Sequence, residues 1–450
     1  MTAETKTRVV DTLRRLLNRN ATASLRKIVN KTHPADLARA FHSLSHAQQA
    51  TLFNLIDDRE KQGLLITKID TDDLQAILES TDKDVFISIL EQIPPDDVAD
   101  LVGRLPEEIG QRILEGMNAE SSEEVGELLQ YDDQSAGGIM VPEFIALPEE
   151  TTARVAISYI QKEHQNVEMT FYLYVVDSRD KLVGVCSLRE LVTVAPETPL
   201  SGFMTTDIHF VYVDSDQEEV ARIVARYDLL AVPVIDHDRK LLGIVTVDDV
   251  IDIIRDEATE DILKMAGAGD SFVETKSILK STKIRLPWLF ASCMGGVLAT
   301  IIIGHFRTTL EQLVFLAAFI PVIMGMGGNV GTQSSTIVVR GLATDRIQLR
   351  NMGRVILKEI AVGGILGTVY GLFLGIVAHV GYQMWRLAVV VGASVVFTML
   401  LATFVGSMLP MMFARFRIDP AVATGPFVTT AIDIMSIFLY FSFAKFLFEL

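Results

Sequence analysis

Residues 321–335 read PVIMGMGGNVGTQSS, and the chain is strongly apolar on both sides of them. Pro321, Gly325, Gly327, Gly328 and Gly331 weaken a helix here, while Asn329, Thr332, Gln333, Ser334 and Ser335 bring polar groups. Irregular backbone at membrane depth is tolerated where it is buried in protein or lines water. Two readings are open: a broken segment lining an aqueous path, or close helix packing through small residues. A phosphate-binding loop is excluded, because the Lys of GxxxxGK[ST] is missing and no strand precedes the run.

Outward from this run lie apolar stretches at 286–304, 313–339, 360–380, 387–412 and 421–444, each long enough for a membrane helix of ~20 residues. The first, third and fourth contain no Asp, Glu, Lys or Arg, and the fifth contains one carboxylate, Asp433. A carboxylate at that depth is costly unless it faces a cavity, a partner or an ion. It is either a protonated acid satisfied by a neighbouring helix or a pathway residue. With the polar run it offers carboxylate, amide and hydroxyl oxygens, which suit a hydrated hard cation such as Mg²⁺. No His–His spacing of a zinc or copper site lies near them, and His305 and His379 fall near expected membrane surfaces.

Charge divides the chain. Residues 284–450 hold 11 basic and 6 acidic residues, leaving 29 and 51 in residues 1–283, so the front carries −22 and the back +5. That front is a poor nucleic-acid binder and an attractive surface for cations. Cys186 and Cys293 are the only cysteines, which leaves neither a disulfide scaffold nor a Cys–zinc site. The first residues show no signal-peptide core, so the front is expected to stay in the cytoplasm. With it inside, nine Lys and Arg flank the spans on that side and three (Arg307, Arg386, Lys445) on the other. The distribution implies an inside N-terminus and, after five spans, an outside C-terminus.

Within residues 34–117, Asp36-Leu37, Asp73-Leu74 and Asp97-Val98 each open an apolar pattern continued at i+3 and i+4. Repetition in short units reads as stacked helix pairs. Residues 171–191 and 230–250 then align with an offset of 59, each as strand, tight turn, strand and capped helix start. Helices are expected before each copy, near 151–163 and 216–227. Asp248, Asp249, Asp252, Asp256, Glu257, Glu260 and Asp261 follow in one helix, where like charges at i,i+3 and i,i+4 repel. AGAG at 266–269 should end that helix, and a second one over 271–283 should lead into the first span.

The duplicated βαββα unit resembles a CBS-domain pair. In that family an Asp opening the last helix holds an adenosine ribose, and here the position is Glu190 in the first copy and Asp249 in the second. The whole order resembles the MgtE family of magnesium channels and transporters, through PVIMGMGGNVGTQS, IDPA at 418–421 and Asp433. The resemblance implies a multi-domain integral membrane protein that is not an enzyme. Its parts would be an all-α repeat domain (1–137), an α/β CBS pair (138–200 and 201–257), a connecting helix (258–284) and a five-helix pore domain (285–450). It implies a multi-pass protein of the cell (inner) membrane, assembled as a homodimer with the pore between protomers. There the two copies of Asp433 would hold one hydrated Mg²⁺, with Asn329, Gln333 and Asp419 along the path.

The resemblance also implies regulatory Mg²⁺ that closes the pore. By motif position its ligands would be Asp96, Asp100 and Gly138, then Asp216, Glu218, Ala225 through its carbonyl, Asp228, Asp249 and Asp252, then Glu257, Glu260 and Asp261. Tyr172 and Arg189 fall where family members contact ATP, while Glu190 and Leu229 depart from that pattern. Two other functions compete: a membrane-anchored CBS nucleotide sensor, and a proton-coupled divalent cation transporter that reuses Asp433. An anchor needs neither an intramembrane Asp nor a GGNxGxQ run.

Overall fold

A computed structural model describes residues 3–19, 21–163, 171–268, 278–344 and 346–449. The chain divides into two compact units, Met1–Arg255 and Asp256–Leu450.

The first unit begins with short helices: α1 (Ala3–Asn18), α2 (Thr22–Lys31), α3 (Pro34–Phe41), α4 (His46–Phe53), α5 (Arg59–Ile66), α6 (Thr71–Ser80), α7 (Lys83–Leu90), α8 (Pro95–Gly103), α9 (Glu107–Leu114) and α10 (Ala119–Leu128). Prolines open α3 and α8, where a missing N–H costs nothing, and Asp58 and Asp82 cap α5 and α7 through their side chains. Helices two apart in sequence pack together, as in α3 with α5, α4 with α6, and α5 with α7. The repeat positions Leu37, Leu74 and Val98 are all buried in the shared core. No helix of eight residues could hold itself together in water, so the stacking is what makes them helices.

Next come β1 (Ala146–Pro148), α11 (Ala153–Glu163), β2 (Tyr172–Val176), β3 (Leu182–Ser187), α12 (Leu188–Thr193), β4 (Val211–Tyr212), α13 (Gln217–Tyr227), β5 (Ala231–Ile235), β6 (Leu241–Thr246) and α14 (Val247–Met265). The sheets β1-β2-β3 and β4-β5-β6 share one topology, a parallel then an antiparallel pairing. Their ladders slip at equivalent points, Val175/Val176 and Val234/Ile235. Thr205 bridges to Val185, and Val141 ahead of the first copy bridges to Ile244 of the second, so the copies are laced together.

The second unit holds the last turns of α14, then α15 (Ile278–His305), α16 (Arg307–Gln312), α17 (Ile320–Ala343), α18 (Met352–Tyr382), α19 (Trp385–Arg415) and α20 (Pro426–Phe448). Five segments are long and apolar enough to cross a membrane: Ser281–His305, Val314–Ala343, Leu349–Tyr382, Trp385–Arg415 and Pro420–Phe448. As expected, α14 ends before Gly267, whose φ of +68° suits glycine. Of the second expected helix, 271–277 lies outside the described residues, and 278–283 forms the start of α15.

Two expectations are corrected. The 321–335 run is not a broken segment: α17 is one continuous helix, preceded by a 3₁₀ stretch at Val314–Phe319. Its glycines make room for neighbours instead. A Cβ on Gly327 would stand 2.7 Å from Thr398 Cγ2, and one on Gly331 would collide with Ile432. The third span also starts earlier than its uncharged stretch, so α18 carries a buried carboxylate, Glu359, 6% exposed.

Candidate functional site

In the first unit the acidic residues of the repeat and of the CBS pair converge. Asp96, Asp97 and Asp100 lie on α8, and Asp249 lies in the first turn of α14. Asp96 is pushed up to about 8, by burial first and then by the charges of Asp97, Asp249 and Asp100. One of its carboxylate oxygens is buried without a hydrogen-bond partner. Burial also raises Asp97, against the pull of Lys68 and Arg104. Asp100 is pushed to about 6 by burial, then by Asp97, against the pull of Arg104, with Asp249 and Asp133 adding to the rise. Asp249 is pushed to about 6 by burial, although the Thr246 hydroxyl donates a hydrogen bond to it. Several carboxylates facing one another this way have a use for a cation. Gly138 sits beside Asp132 and Asp133, where a Cβ would lie 2.2 Å from the Asp132 carbonyl oxygen. Asp97, Asp133 and Asp248 were not among the expected ligands, although Asp97 was read as a repeat position and Asp248 as part of the acidic helix. Their place beside expected ligands was the signal that could have marked them.

The remaining first-unit candidates are spread along α13. Asp216 caps its start, accepting from Glu218 N–H at 2.8 Å, and Asp228 caps its end in the left-handed conformation, φ 53°. Seven residues of helix, about 10 Å, separate Glu218 from Ala225, and Asp228 lies farther still, so one chain does not gather them into one site. Asp252 pairs with Arg255 at 3.8 Å.

Between the CBS copies lies a cleft of about 290 Å³ lined by Tyr172, Tyr174, Ser187, Glu190, Asp207 and His209 among others. Glu190 accepts from the Ser187 N–H and hydroxyl at 2.9 and 2.8 Å, which holds its carboxyl below the usual range. Arg189 is not among the lining residues, whereas Asp207 and His209 are, unforeseen because the linker between the copies carries no pattern.

In the second unit, Lys264 Nζ donates to Asp419 Oδ2 at 2.7 Å and also binds Glu260. Burial alone would lower the Lys264 ammonium, but these two partners more than offset it and raise it. Asp419 Oδ1 meanwhile accepts from Ala421 N–H at 2.8 Å, starting the turn Pro420–Ala423. Asp261 is raised by burial first and by Asp419 next, with Lys264 and Arg340 opposing. Glu257 is half-buried one turn before. An ammonium thus sits on Glu260, an expected regulatory ligand, and on Asp419, an expected pathway residue, and Lys264 itself was not singled out from the sequence.

Within the apolar helices, Asn329 and Gln333 are exposed and four residues apart, hence on one face of α17. Asp433 on α20 is half-buried and has neither hydrogen-bond nor ion-pair partner among the described residues. Gly328 of α17 stands 3.9 Å (Cβ position) from Thr429, one turn before Asp433. Elsewhere on α17, the buried Ser334 donates to Glu359 at 2.9 Å.

A membrane unit of five apolar helices with an intramembrane carboxylate, joined to a CBS pair, defines the class: a multi-pass membrane transporter of cations. Family models agree along the chain. A divalent cation transporter model matches 320–443, an MgtE intracellular N domain model 32–134, and a CBS domain model 136–199 and 200–256. A magnesium transporter MgtE of Thermus thermophilus is 38% identical over 75% of this chain and 76% of its own length. That of Enterococcus faecalis is 39% identical over 73% and 72%, and that of Bacillus subtilis 36% over 77% and 77%. The crystal structure of the cytosolic domain of the Mg²⁺ channel MgtE in complex with ATP superposes with a TM-score of 0.52 at 31% identity, covering 54% of this chain and 99% of that one. The chain belongs to the MgtE family, a family of transporters and not of enzymes.

Proposed function

We propose that this chain conducts Mg²⁺ inward through a pore between two copies of itself, and that Mg²⁺ bound to its acidic front closes that pore. The observation that carries the reading is Asp433, without a partner among the described residues, on one membrane helix, and the exposed Asn329 and Gln333 on another, α17. A carboxylate and two amides left open on membrane helices are stable against water or a second copy, not against acyl chains. Mg²⁺ keeps several waters and needs one or two carboxylates, which two copies of Asp433 supply. The N-terminus lies in the cytoplasm in this reading and the C-terminus outside.

Regulation follows from the Asp96–Asp97–Asp100–Asp249 cluster. Its carboxylates repel when bare and attract once a cation sits between them, so the compact arrangement gains with Mg²⁺. The CBS cleft would take an adenine nucleotide such as ATP, with Tyr172 against the base and Glu190 accepting from ribose hydroxyls. Arg189 lies beside the cleft on α12, off its lining.

The test is Mg²⁺ uptake into proteoliposomes by wild type and by Asp433→Ala. Uptake is expected in the first and lost in the second. Undiminished uptake by Asp433→Ala overturns the pore assignment, and no uptake by wild type favours a membrane-anchored sensor. Uptake that stops when a proton gradient is collapsed favours proton coupling.

A further inference from the structure

The helical repeat holds a second convergence of ligand-type side chains, well away in sequence from the Asp96 cluster. His42 caps the end of α3, His46 opens α4, Asp70 precedes α6 and Asp73 lies in its first turn. The spacing is His-x₃-His followed by Asp-x₂-Asp. His42 Nδ1 stands 3.2 Å from Asp70 Oδ2, and His46 Nε2 stands 3.7 Å from Asp73 Oδ1. Ligand atoms of His42, Asp70 and Asp73 all lie within 4.8 Å of one another, and His46, outside that trio, joins it at Asp73. Donors on one tetrahedral Zn²⁺, at about 2.0–2.1 Å each, stand about 3.4 Å apart, and the two observed separations straddle that figure.

Burial grades across the group. The Asp73 side chain is 0% exposed and that of Asp70 20%, while the imidazoles of His42 and His46, at 47% and 61%, stand at the mouth. Asp70 adds an independent observation. It holds the N-cap position of α6 with extended backbone, yet its side chain makes no cap hydrogen bond there, whereas Asp58 and Asp82 cap α5 and α7 in the ordinary way. Its carboxylate is turned to His42 instead.

We propose that His42, His46, Asp70 and Asp73 form a binding site for a first-row transition-metal ion of the Zn²⁺ class. Asp73 and Asp97 are equivalent in the repeat. One copy of that position, Asp97, stands among carboxylates with Lys68 and Arg104 near it and no imidazole acting on it, an oxygen donor set that suits Mg²⁺. The other meets two imidazoles, whose nitrogens favour Zn²⁺ and disfavour Mg²⁺. Four donors from α3, α4 and α6 would also tie three helix ends together. This gives the acidic front a sensor for a softer divalent ion, and it stands whether or not the Mg²⁺ gating reading does.

The experiment uses the full chain, purified without a histidine tag and dialysed against Zn²⁺ with Mg²⁺ in large excess, with bound metal counted by mass spectrometry. Wild type should keep one Zn²⁺ per chain. His42→Ala combined with His46→Ala should lose it, and His33→Ala, outside the group, should keep it. Both imidazoles are exposed, so equal melting of all variants in EDTA is expected and shows the fold intact. X-ray absorption should show imidazole in the metal's shell. No Zn²⁺ retained against Mg²⁺, full retention by the double variant, or an all-oxygen shell would overturn the site.

Discussion

Protons and metal compete for the same oxygens at Asp96. Its folded pKa of about 8 lies above the ordinary 3.8, so the folded state holds the proton more tightly than the unfolded one. Stability is then fully present below about pH 4 and falls as pH rises to about 8, beyond which the loss is complete. Asp97, Asp100 and Asp249 face it with like charge, and Lys68 and Arg104 counter through Asp97. Thermal melting in EDTA should therefore drop steadily between pH 5 and 8, roughly the span of these shifts. Mg²⁺, which favours the ionised form, should flatten or reverse the slope. A metal-free slope rising with pH would contradict the burial seen at Asp96. Glu359 gives a second test at this scale. Glu359→Leu leaves the Ser334 hydroxyl buried without its acceptor, a loss of about 1–3 kcal/mol, while Glu359→Gln keeps one. Melting of the detergent-solubilised protein should rank wild type, Gln, then Leu.

Elements were legible in the sequence wherever one period dominated. The repeat positions Leu37, Leu74 and Val98 are buried as their spacing requires, and the 59-residue offset between the CBS copies reappears even in the position of the ladder slips. The 321–335 run was ambiguous because glycine marks both a break and a close approach. Which of the two it marks depends on partners such as Thr398 and Ile432, a long way off in sequence. Lys264 on Asp419 and the four residues around His42 escaped for the same reason, as contacts between segments that no local pattern links. Helix α18 shows close approach at its plainest. Gly363, Gly367, Gly371 and Gly375 recur every fourth residue against α19, and a Cβ on Gly371 would stand 2.7 Å from the Gly392 carbonyl oxygen. Gly371→Leu should force the pair apart at about 1–3 kcal/mol, lowering the melting temperature and the folded yield. Gly381→Leu, with nothing within 4 Å, should do neither.

Over the whole molecule, 51 acidic residues lie ahead of the apolar helices, and Lys264 shows that the chain supplies part of the countercharge itself. If Mg²⁺ closes the pore by occupying Glu260, Asp261 and Asp419, it must displace an ammonium already seated on two of them. Lys264→Met removes that competitor and leaves the three carboxylates without their ammonium. The internal Mg²⁺ concentration for half-closure, read from channel currents or uptake, should then fall. Asp249→Ala, which removes an acid from the front cluster instead, should raise it. The opposite result for Lys264→Met, a raised threshold, would make the ammonium itself the tie between α14 and the Asp419 turn. An unchanged threshold would remove these three carboxylates from gating and leave control to the cluster around Asp96.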